Sequence, residues 1–565
     1  MKHNLEILKN KKVLTTIYIL LGIALALLNS FSASYFQKVL DDFSSNKLSI
    51  TTLLIYGFVL LIICGLNYID EYPGCKLSES IFLGFKLKAL KKMSTIDYKY
   101  YQALGTGNLV QKIESGANAG KSILFDFYFK SLRELIPSIF FSLIFIANID
   151  KNIMIYIGIG YIFVFIITNM LLKYLYNIKA HILNNEEIFN KYVVRGFMEL
   201  VVFRTNKRFH SEIEKAEDTS RNIVNSKTKM KMIHEAFFAI FALFITIIKV
   251  IIIFISWKGN TLSAGAVVAL ITLIDKAYSP VAIFNVLFVQ YKLDRSAFKR
   301  YTDLLDMPDD VKLHSGKKIN SMEVQGNISF DKVCFSYDGK KVFEELSFKI
   351  KAGSSVAFVG ESGSGKSTIV KQIIGLLKAD KGNIYVDTNN LAEVNLNDFY
   401  EYVSYTSQEA PIFDGNLREN IVFDKDISDN EVVAALKSVG LSSFYSSLPK
   451  GLDTEVGEKG IMLSGGERQR LALARVFFGE AKIIILDEAT SAMDNVTEEL
   501  VMKNVMTQLK NKTIITIAHR LNTIKEYEKI YVFKKGKIVG EGNFEGLLES
   551  NQYFQQLWST SIENC

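Results

Sequence analysis

Six long apolar runs, all before about residue 300, constrain this chain more than any other feature: Val13–Phe36, Thr51–Ile69, Leu135–Ile149, Ile153–Leu175, Ala236–Trp257 and Leu262–Leu293. About 20 apolar residues in helical form cross the hydrocarbon of a bilayer. Four of the runs meet that length directly. Leu135–Ile149 is short, but the amphipathic stretch Ser122–Ile136 ahead of it extends the helix into the interface. Leu262–Leu293 carries Asp275, Lys276 and Pro280 and is still long and apolar. Six such runs in one half of a chain are hard to bury in a soluble core, so six membrane spans are expected.

The remaining composition fits that division. Apolar residues make up 49% and charged residues 22% of the 565 positions, so the apolar excess is local. Lysines crowd the N-terminus (Lys2, Lys9, Lys11, Lys12) and the segment between the second and third runs. The loops Gln37–Ile50, Asp150–Asn152 and Lys258–Thr261 are short and nearly balanced. Lys- and Arg-rich loops stay in the cytoplasm, so both termini are expected there, with the chain passing several times through the cytoplasmic membrane. The net charge of +7 follows from the same bias, and the partner it implies is the lipid bilayer, not nucleic acid. Cys64, Cys75, Cys334 and Cys565 show neither pairing nor metal-ligand spacing.

Two polar connections, 70–134 and 176–235, carry apolar residues at helical spacing, as in Phe82, Phe85, Leu87 and Leu90. They are expected to continue the membrane helices into the cytoplasm as long hairpins, turning near Gly105–Gly116 and Gly196–Arg208. The polar stretch around Pro308, Ser315 and Gly316 reads as a linker. The expected division is a membrane domain 1–306, a linker 307–325 and a second domain 326–565. In the second domain short β-branched runs alternate with helical patterns, which predicts a parallel sheet flanked by helices. The fold class expected is an all-α six-helix membrane domain followed by an α/β P-loop domain.

The strand Ser355–Val359 runs into Gly360-Glu361-Ser362-Gly363-Ser364-Gly365-Lys366-Ser367-Thr368, which opens a helix. This is the G-x-x-x-x-G-K-S phosphate loop in its strand–loop–helix setting. The glycines let backbone N–H groups converge on phosphate oxygens, and the helix N-terminus adds partial positive charge. Lys366 is expected to reach the β- and γ-phosphates and Ser367 to offer its hydroxyl to Mg²⁺. About 120 residues on, the strand Ile483–Leu486 ends in Asp487 and Glu488. Asp487 is suited to holding Mg²⁺ through water, and Glu488 to polarising the attacking water.

With Leu463-Ser464-Gly465-Gly466-Glu467 just ahead of that acidic strand, the sequence resembles the ATP-binding cassette transporters. The resemblance implies ATP and Mg²⁺ as cofactors. It also implies that the Ser464, Gly465 and Gly466 amides contact the γ-phosphate of ATP held by a second cassette, so a second half-transporter is the expected partner. Tyr337 matches the aromatic that stacks on adenine, and Gln408 the glutamine that reaches Mg²⁺ and the water. Asp494 matches the loop that couples two ATP sites, and His519 the histidine that contacts the γ-phosphate. The segment Thr454–Gly460 resembles that of exporter-type members with six fused spans. A homodimer is the simpler expectation and a heterodimer the alternative.

The chain departs from the family pattern at Glu467, Met493 and Gly116, where Gln, Leu and Asp are commoner. The implied activity is ATP hydrolysis coupled to export of a peptide, lipid or amphipathic small molecule. An importer of a chelated metal and an ATP-gated channel or sensor remain as alternatives. Lys249, Asp275 and Lys276 lie at similar depths in the fifth and sixth runs and are candidates for the translocation pathway or for a structural ion pair.

Overall fold

The computed structural model describes residues 2–563 apart from 10, 105, 199, 260–261, 320–323, 338, 424, 458–462 and 519. It comprises two compact units, Met1–Ser94 with Leu104–Met307, and Thr95–Ala103 with Pro308–Cys565. The first stretches of helix along the chain are α1 (Lys2–Lys9), α2 (Lys12–Ser44), α3 (Ile50–Met93), α4 (Tyr98–Gln102), α5 (Thr106–Lys121), α6 (Ile136–Ile149), α7 (Lys151–Met198), α8 (Leu200–Thr205), α9 (Phe209–Gly259) and α10 (Ala264–Leu305). All but α4 belong to the first unit.

Among the described residues, five helical rods are long and apolar enough to cross a membrane: Lys12–Ser44, Ile50–Met93, Leu109–Ile149, Phe209–Gly259 and Ala264–Leu305. The third joins α5 to α6 through backbone of the wider π form, Ser122–Phe129 and Ser131–Leu135. The amphipathic stretch therefore lengthens the short apolar run as its pattern predicts. The expected run 153–175 lies inside α7, where the side chains at 163–165 and 167–173 are outside the described residues.

Several charged side chains of this unit meet a polar or charged partner, which offsets the cost of taking charge out of water. Arg133 pairs with Asp70, and its guanidinium lies 3.7 Å from the centre of the Tyr18 ring. Lys249 meets Asp275 at 2.6 Å, and the Lys276 ammonium donates to the Asn29 carbonyl of α2. The three candidate pathway residues thus separate into one ion pair and one bond between helices.

Among the described residues the second unit carries ten strands: β1 (Ile328–Tyr337), β2 (Lys340–Ile350), β3 (Ser355–Val359), β4 (Lys381–Val386), β5 (Asn389–Asn390), β6 (Val403–Thr406), β7 (Ile483–Asp487), β8 (Thr513–Ile517), β9 (Lys529–Lys534) and β10 (Lys537–Gly542). They form a four-stranded antiparallel sheet in the order β2-β1-β4-β5 and a six-stranded sheet in the order β10-β9-β3-β8-β7-β6. In the larger sheet β9, β3, β8, β7 and β6 run parallel. Every residue of β7 and β8 is buried, which is why these strands read as unbroken apolar or β-branched runs. The helix that follows the phosphate loop, α11 (Lys366–Ile373), buries Ile369, Val370 and Ile373 in the core shared by the two sheets.

Two sequence expectations need correction. The first hairpin reverses at Ser94–Ala103, not near Gly105–Gly116. Gly116 sits inside α5, where a Cβ would lie 2.3 Å from that of Tyr301. Its lack of a side chain serves close helix packing, so it is not a turn signal. The stretch after Met307 is also more than a linker: Asp310 and Lys312 are buried within the second unit, and Ile96 bridges Asp309 in antiparallel fashion. Its polar residues satisfy local backbone groups, and residues 320–323 of the expected linker lie outside the described residues.

Tyr301 is fully buried, donates to the Phe85 carbonyl at 2.7 Å and packs against the Phe85 and Phe298 rings, so it cannot swing away from position 116. Gly116→Ala is expected to destabilise the first unit by about 2 kcal/mol through overpacking. A lowered midpoint of thermal unfolding in detergent checks this, and an unchanged midpoint would contradict the packing described.

Candidate functional site

The phosphate loop leaves the C-terminal end of β3, between β8 and β9 in the parallel sheet. Binding at the carboxyl ends of such strands is the common arrangement in open α/β sheets. Gly365 has φ of +107° as it turns into α11, and a Cβ there would approach Phe343 to 2.5 Å, so glycine is required on two counts. Lys366 is the first residue of α11 and is buried. Its ammonium donates to the Gly360 carbonyl at 2.7 Å, to the Glu361 carbonyl at 2.9 Å and to the Ser364 hydroxyl at 3.4 Å. Burial pushes its pKa down, while Glu488, Asp487 and Glu361 favour the charged form.

Beside the loop is a concave site of about 500 Å³, within the size range of small-molecule pockets. Tyr337, Ser362, Gly363, Gly365, Lys366, Ser367, Thr368 and Glu488 all line it. Tyr337 is 37% exposed and stands edge-on to Phe335 at 4.9 Å between centroids, leaving a face for a flat ring. Gly360, Glu361 and Ser364 belong to the loop itself, held by the lysine bonds above. Lys340, Lys341 and Lys535 also line the site and went unremarked in the sequence. Their signal was available, since Lys340 and Lys341 begin the strand soon after Tyr337; Lys341 is ion-paired with Glu344 at 2.6 Å, and Lys340 and Lys535 add positive charge at the site.

β7 delivers the two acids. Asp487 ends the strand buried, accepting from the Tyr405 hydroxyl at 3.3 Å. Burial and the neighbouring Glu488 charge raise its pKa, and Lys371 and Lys366 oppose the rise. Glu488 takes φ of +53°, a left-handed conformation rare for a residue with a side chain and common at functional sites. Its N–H donates to the Ile517 carbonyl at 3.3 Å, and its carboxylate accepts from the Gln408 amide at 2.5 Å. Ser367, Gln408 and Asp487 offer the oxygen donors that suit Mg²⁺. Among the described residues no group of three or more His, Cys, Asp or Glu could hold a metal without help. Such a donor set fits an ion that completes its shell with phosphate oxygens and water. His519 lies outside the described residues.

Ser464 is the N-cap of the helix Gly465–Ala474. The Ser464 N–H donates to the Glu467 carboxylate at 2.7 Å, and the Glu467 N–H donates back to the Ser464 hydroxyl at 3.3 Å. The unusual Glu467 therefore completes a capping box, a task Gln also performs. Ser464 is exposed, and among the described residues lining the phosphate cavity none comes from Leu463–Glu467. The structure thus brings together the loop, Tyr337, Gln408, Asp487 and Glu488, and leaves the signature residues outside. Glu458–Gly460 of the segment ahead of it lie outside the described residues.

The loop 491–494 is held from two sides that sequence reasoning did not anticipate. Gln469 of the signature helix donates to the Ser491 hydroxyl at 2.9 Å and accepts from the Ala492 N–H at 2.7 Å. Arg520, next to His519, donates to the Met493 carbonyl at 2.6 Å and to Glu498 at 2.8 Å. Asp494 caps the following helix by accepting from the Thr497 N–H at 2.9 Å, a bond that holds its carboxyl below the usual range. A second, smaller concave space of about 110 Å³ is lined by Glu488, Glu498, Met502 and Arg520.

Comparison with known proteins agrees with this geometry. Residues 343–491 match the family described as ABC transporter. The chain is 28% identical over 539 residues to the ATP-dependent lipid A-core flippase 2 of Colwellia psychrerythraea, covering 93% of this chain and 91% of the relative. It is 40% identical over 277 residues to the ATP-dependent permease MDL1 of Candida albicans, a match spanning 47% of this chain and 40% of that one. In three dimensions it resembles a bacterial Atm1-family ABC exporter with ATP bound, with a TM-score of 0.81 and 22% identity over 98% of both chains.

The Glu498 side chain is only 4% exposed and depends on Arg520 and on the Thr490 hydroxyl at 2.6 Å. Arg520→Met is expected to destabilise the second unit by about 2–3 kcal/mol by stranding that carboxylate, and adding Glu498→Gln should recover much of the loss. Denaturant unfolding of the two single variants and the double variant measures both. Additive losses would show that the pair does not act as a unit.

Proposed function

We propose, for a chain that belongs to the ATP-binding cassette transporters and joins an exporter-type membrane domain to one cassette, that two copies close on two ATP molecules and drive export by alternating access. ATP hydrolysis coupled to movement across a membrane is the activity of this class. The observation that carries the proposed dimer is the exposed N-terminus of the helix Gly465–Ala474 together with its absence from the described lining of the chain's own phosphate cavity. Free N–H groups at a helix N-terminus form an anion site, and a γ-phosphate on an opposing chain would complete it. Identical patches on two copies meet naturally about a two-fold axis, which favours a homodimer.

In this reading Tyr337 stacks on the adenine and Lys366 exchanges its loop carbonyls for β- and γ-phosphate oxygens. Gly360–Thr368 supply backbone N–H groups to the same oxygens. Glu488 accepts the proton of the attacking water, held in place by Gln408. His519 contacts the γ-phosphate, and Asp494 reaches toward the second site. Mg²⁺, held by Ser367, Asp487 and Gln408, would neutralise charge on the phosphates. Both termini lie in the cytoplasm, and the cargo is a peptide, lipid or amphipathic small molecule. The flippase relative supports the lipid class among these.

Glu488→Gln keeps the size and the Gln408 contact but removes the base. It should lower ATPase turnover by roughly 10²–10⁴-fold while ATP binding persists. ATP should also convert this variant to a stable dimer in light scattering. Turnover near that of the parent would overturn the assignment of Glu488, and a monomer with ATP bound would overturn the dimer.

A further inference from the structure

The phosphate loop contains an acid, although its task is to hold anions. Glu361, its second residue, is exposed, and its carbonyl accepts from the Lys366 ammonium at 2.9 Å. Its carboxylate is near enough to Lys366 to favour the charged ammonium. Like charges repel, most strongly where burial keeps water away, so a carboxylate this close to bound phosphates opposes them unless it is held off.

The helix Gln552–Glu563 reaches this residue from far along the chain. Asn551 ties the start of that helix to β10 by donating its amide to the Val539 carbonyl at 2.8 Å, and it accepts from the Phe554 N–H at 2.9 Å. Phe554 is fully buried in the apolar core with Phe544 and Leu547. The neighbouring Tyr553 meets the end of β9, where the Lys534 ammonium lies 4.2 Å from the centre of its ring. The end of β9 also touches the phosphate loop. A Cβ on Gly360 would lie 2.1 Å from the Phe533 carbonyl oxygen, and the Gly536 N–H donates to the Ser364 carbonyl at 3.1 Å. The Tyr553 hydroxyl oxygen is shut off from solvent and has no hydrogen-bond partner among the described residues. Burial raises the pKa of this hydroxyl, and the neighbouring Glu361 carboxylate adds to the rise. A buried donor without a partner is costly, and its retention calls for a reason.

We propose that Tyr553 is a positioning residue for the phosphate loop: with ATP bound, its hydroxyl donates to the Glu361 carboxylate and keeps that charge at the rim of the loop, away from the phosphates. This rests on the reading of Gly360–Thr368 as the cradle of the ATP phosphates. In that reading Lys366 leaves the Gly360 and Glu361 carbonyls for phosphate oxygens, so Glu361 loses the cation beside it as further negative charge arrives. The Tyr553 proton, committed to no other acceptor among the described residues, replaces the lost interaction. Lys534, over the ring, holds the hydroxyl toward Glu361.

Tyr553→Phe removes the hydroxyl and keeps the ring under Lys534. Because the hydroxyl has no partner to lose, the midpoint of thermal unfolding without nucleotide should not fall. The Kd for MgATP, measured by calorimetry on the full chain in detergent, should rise about 3- to 10-fold, as the loss of one ordinary hydrogen bond gives, while kcat stays within about twofold. In a Glu361→Ala background the same substitution should change Kd by less than about 1.5-fold, because no carboxylate remains to be held. An unchanged Kd in Tyr553→Phe overturns the assignment, as does an equal rise in both backgrounds or a rise accompanied by a lowered unfolding midpoint. Loss of MgATP binding in Glu361→Ala alone overturns it too, since the carboxylate would then aid binding. If Tyr553→Phe does not fold, Lys534→Met decides: Kd should rise with Glu361 present and stay unchanged in the Glu361→Ala background, and any other pattern counts against Tyr553. A parent chain that binds no MgATP overturns the reading of the loop itself, and this role with it.

Discussion

In the proposed reading the N-terminus of α11 receives several negative charges at a point where the chain is otherwise buried, and much of the second unit would make that tolerable. Backbone N–H groups and the helix dipole supply positive potential without a mobile side chain. Lys366 adds a full charge but is itself buried, so without phosphates it is satisfied by the Gly360 and Glu361 carbonyls. Two packed sheets hold α11 in place by its apolar face, Ile369, Val370 and Ile373. The loop can be tight only because Gly360 and Gly365 adopt positive φ where a side chain would strike Phe533 or Phe343.

The first unit answers a different constraint. In hydrocarbon each backbone group is satisfied inside its own helix, so specificity between helices falls to small residues, aromatic rings and paired charges. Gly116 and Gly120 let α5 approach Tyr301, Phe85 and Phe298. Tyr278, fully buried, donates to the Ile157 carbonyl of α7 at 2.9 Å. Where charge enters, it is neutralised locally, as with Lys249 and Asp275, or tied to a carbonyl, as with Lys276.

These two sets of demands explain what was legible in the sequence. Membrane runs are visible because lipid penalises polar side chains at every position. The phosphate loop and the acidic strand are visible because their chemistry fixes residue types at short spacing. Hidden were contacts whose partners are far apart in sequence: Arg520 with Glu498 and Met493, Lys312 with Gly375, and Lys340, Lys341 and Lys535 around one cavity. A lysine pair after a turn or a polar stretch after a proline has the composition of a solvated surface, and only the fold distinguishes it. The first turn was misplaced for the same reason. Glycine marks both reversal and close packing, and Gly116 serves the second purpose.

Asp487 and Glu488 are adjacent in sequence, yet the structure gives them different surroundings. Two adjacent carboxylates repel, and burial already raises the pKa of Asp487. The left-handed backbone at Glu488 turns the second acid away from the strand axis, where the Gln408 amide meets it. That separation gives the two acids different surroundings, one buried at the strand end and one lining the cavity with Ser367 and Lys366. The loop 491–494, which follows directly, is anchored by Gln469 from the signature helix and by Arg520 from the segment after β8. The exposed N-terminus of the helix Gly465–Ala474 and the strand β7 are thereby joined through one short loop. In the proposed two-chain arrangement, the cap offered to a partner's phosphate would be set by the same contacts that hold the loop after Glu488.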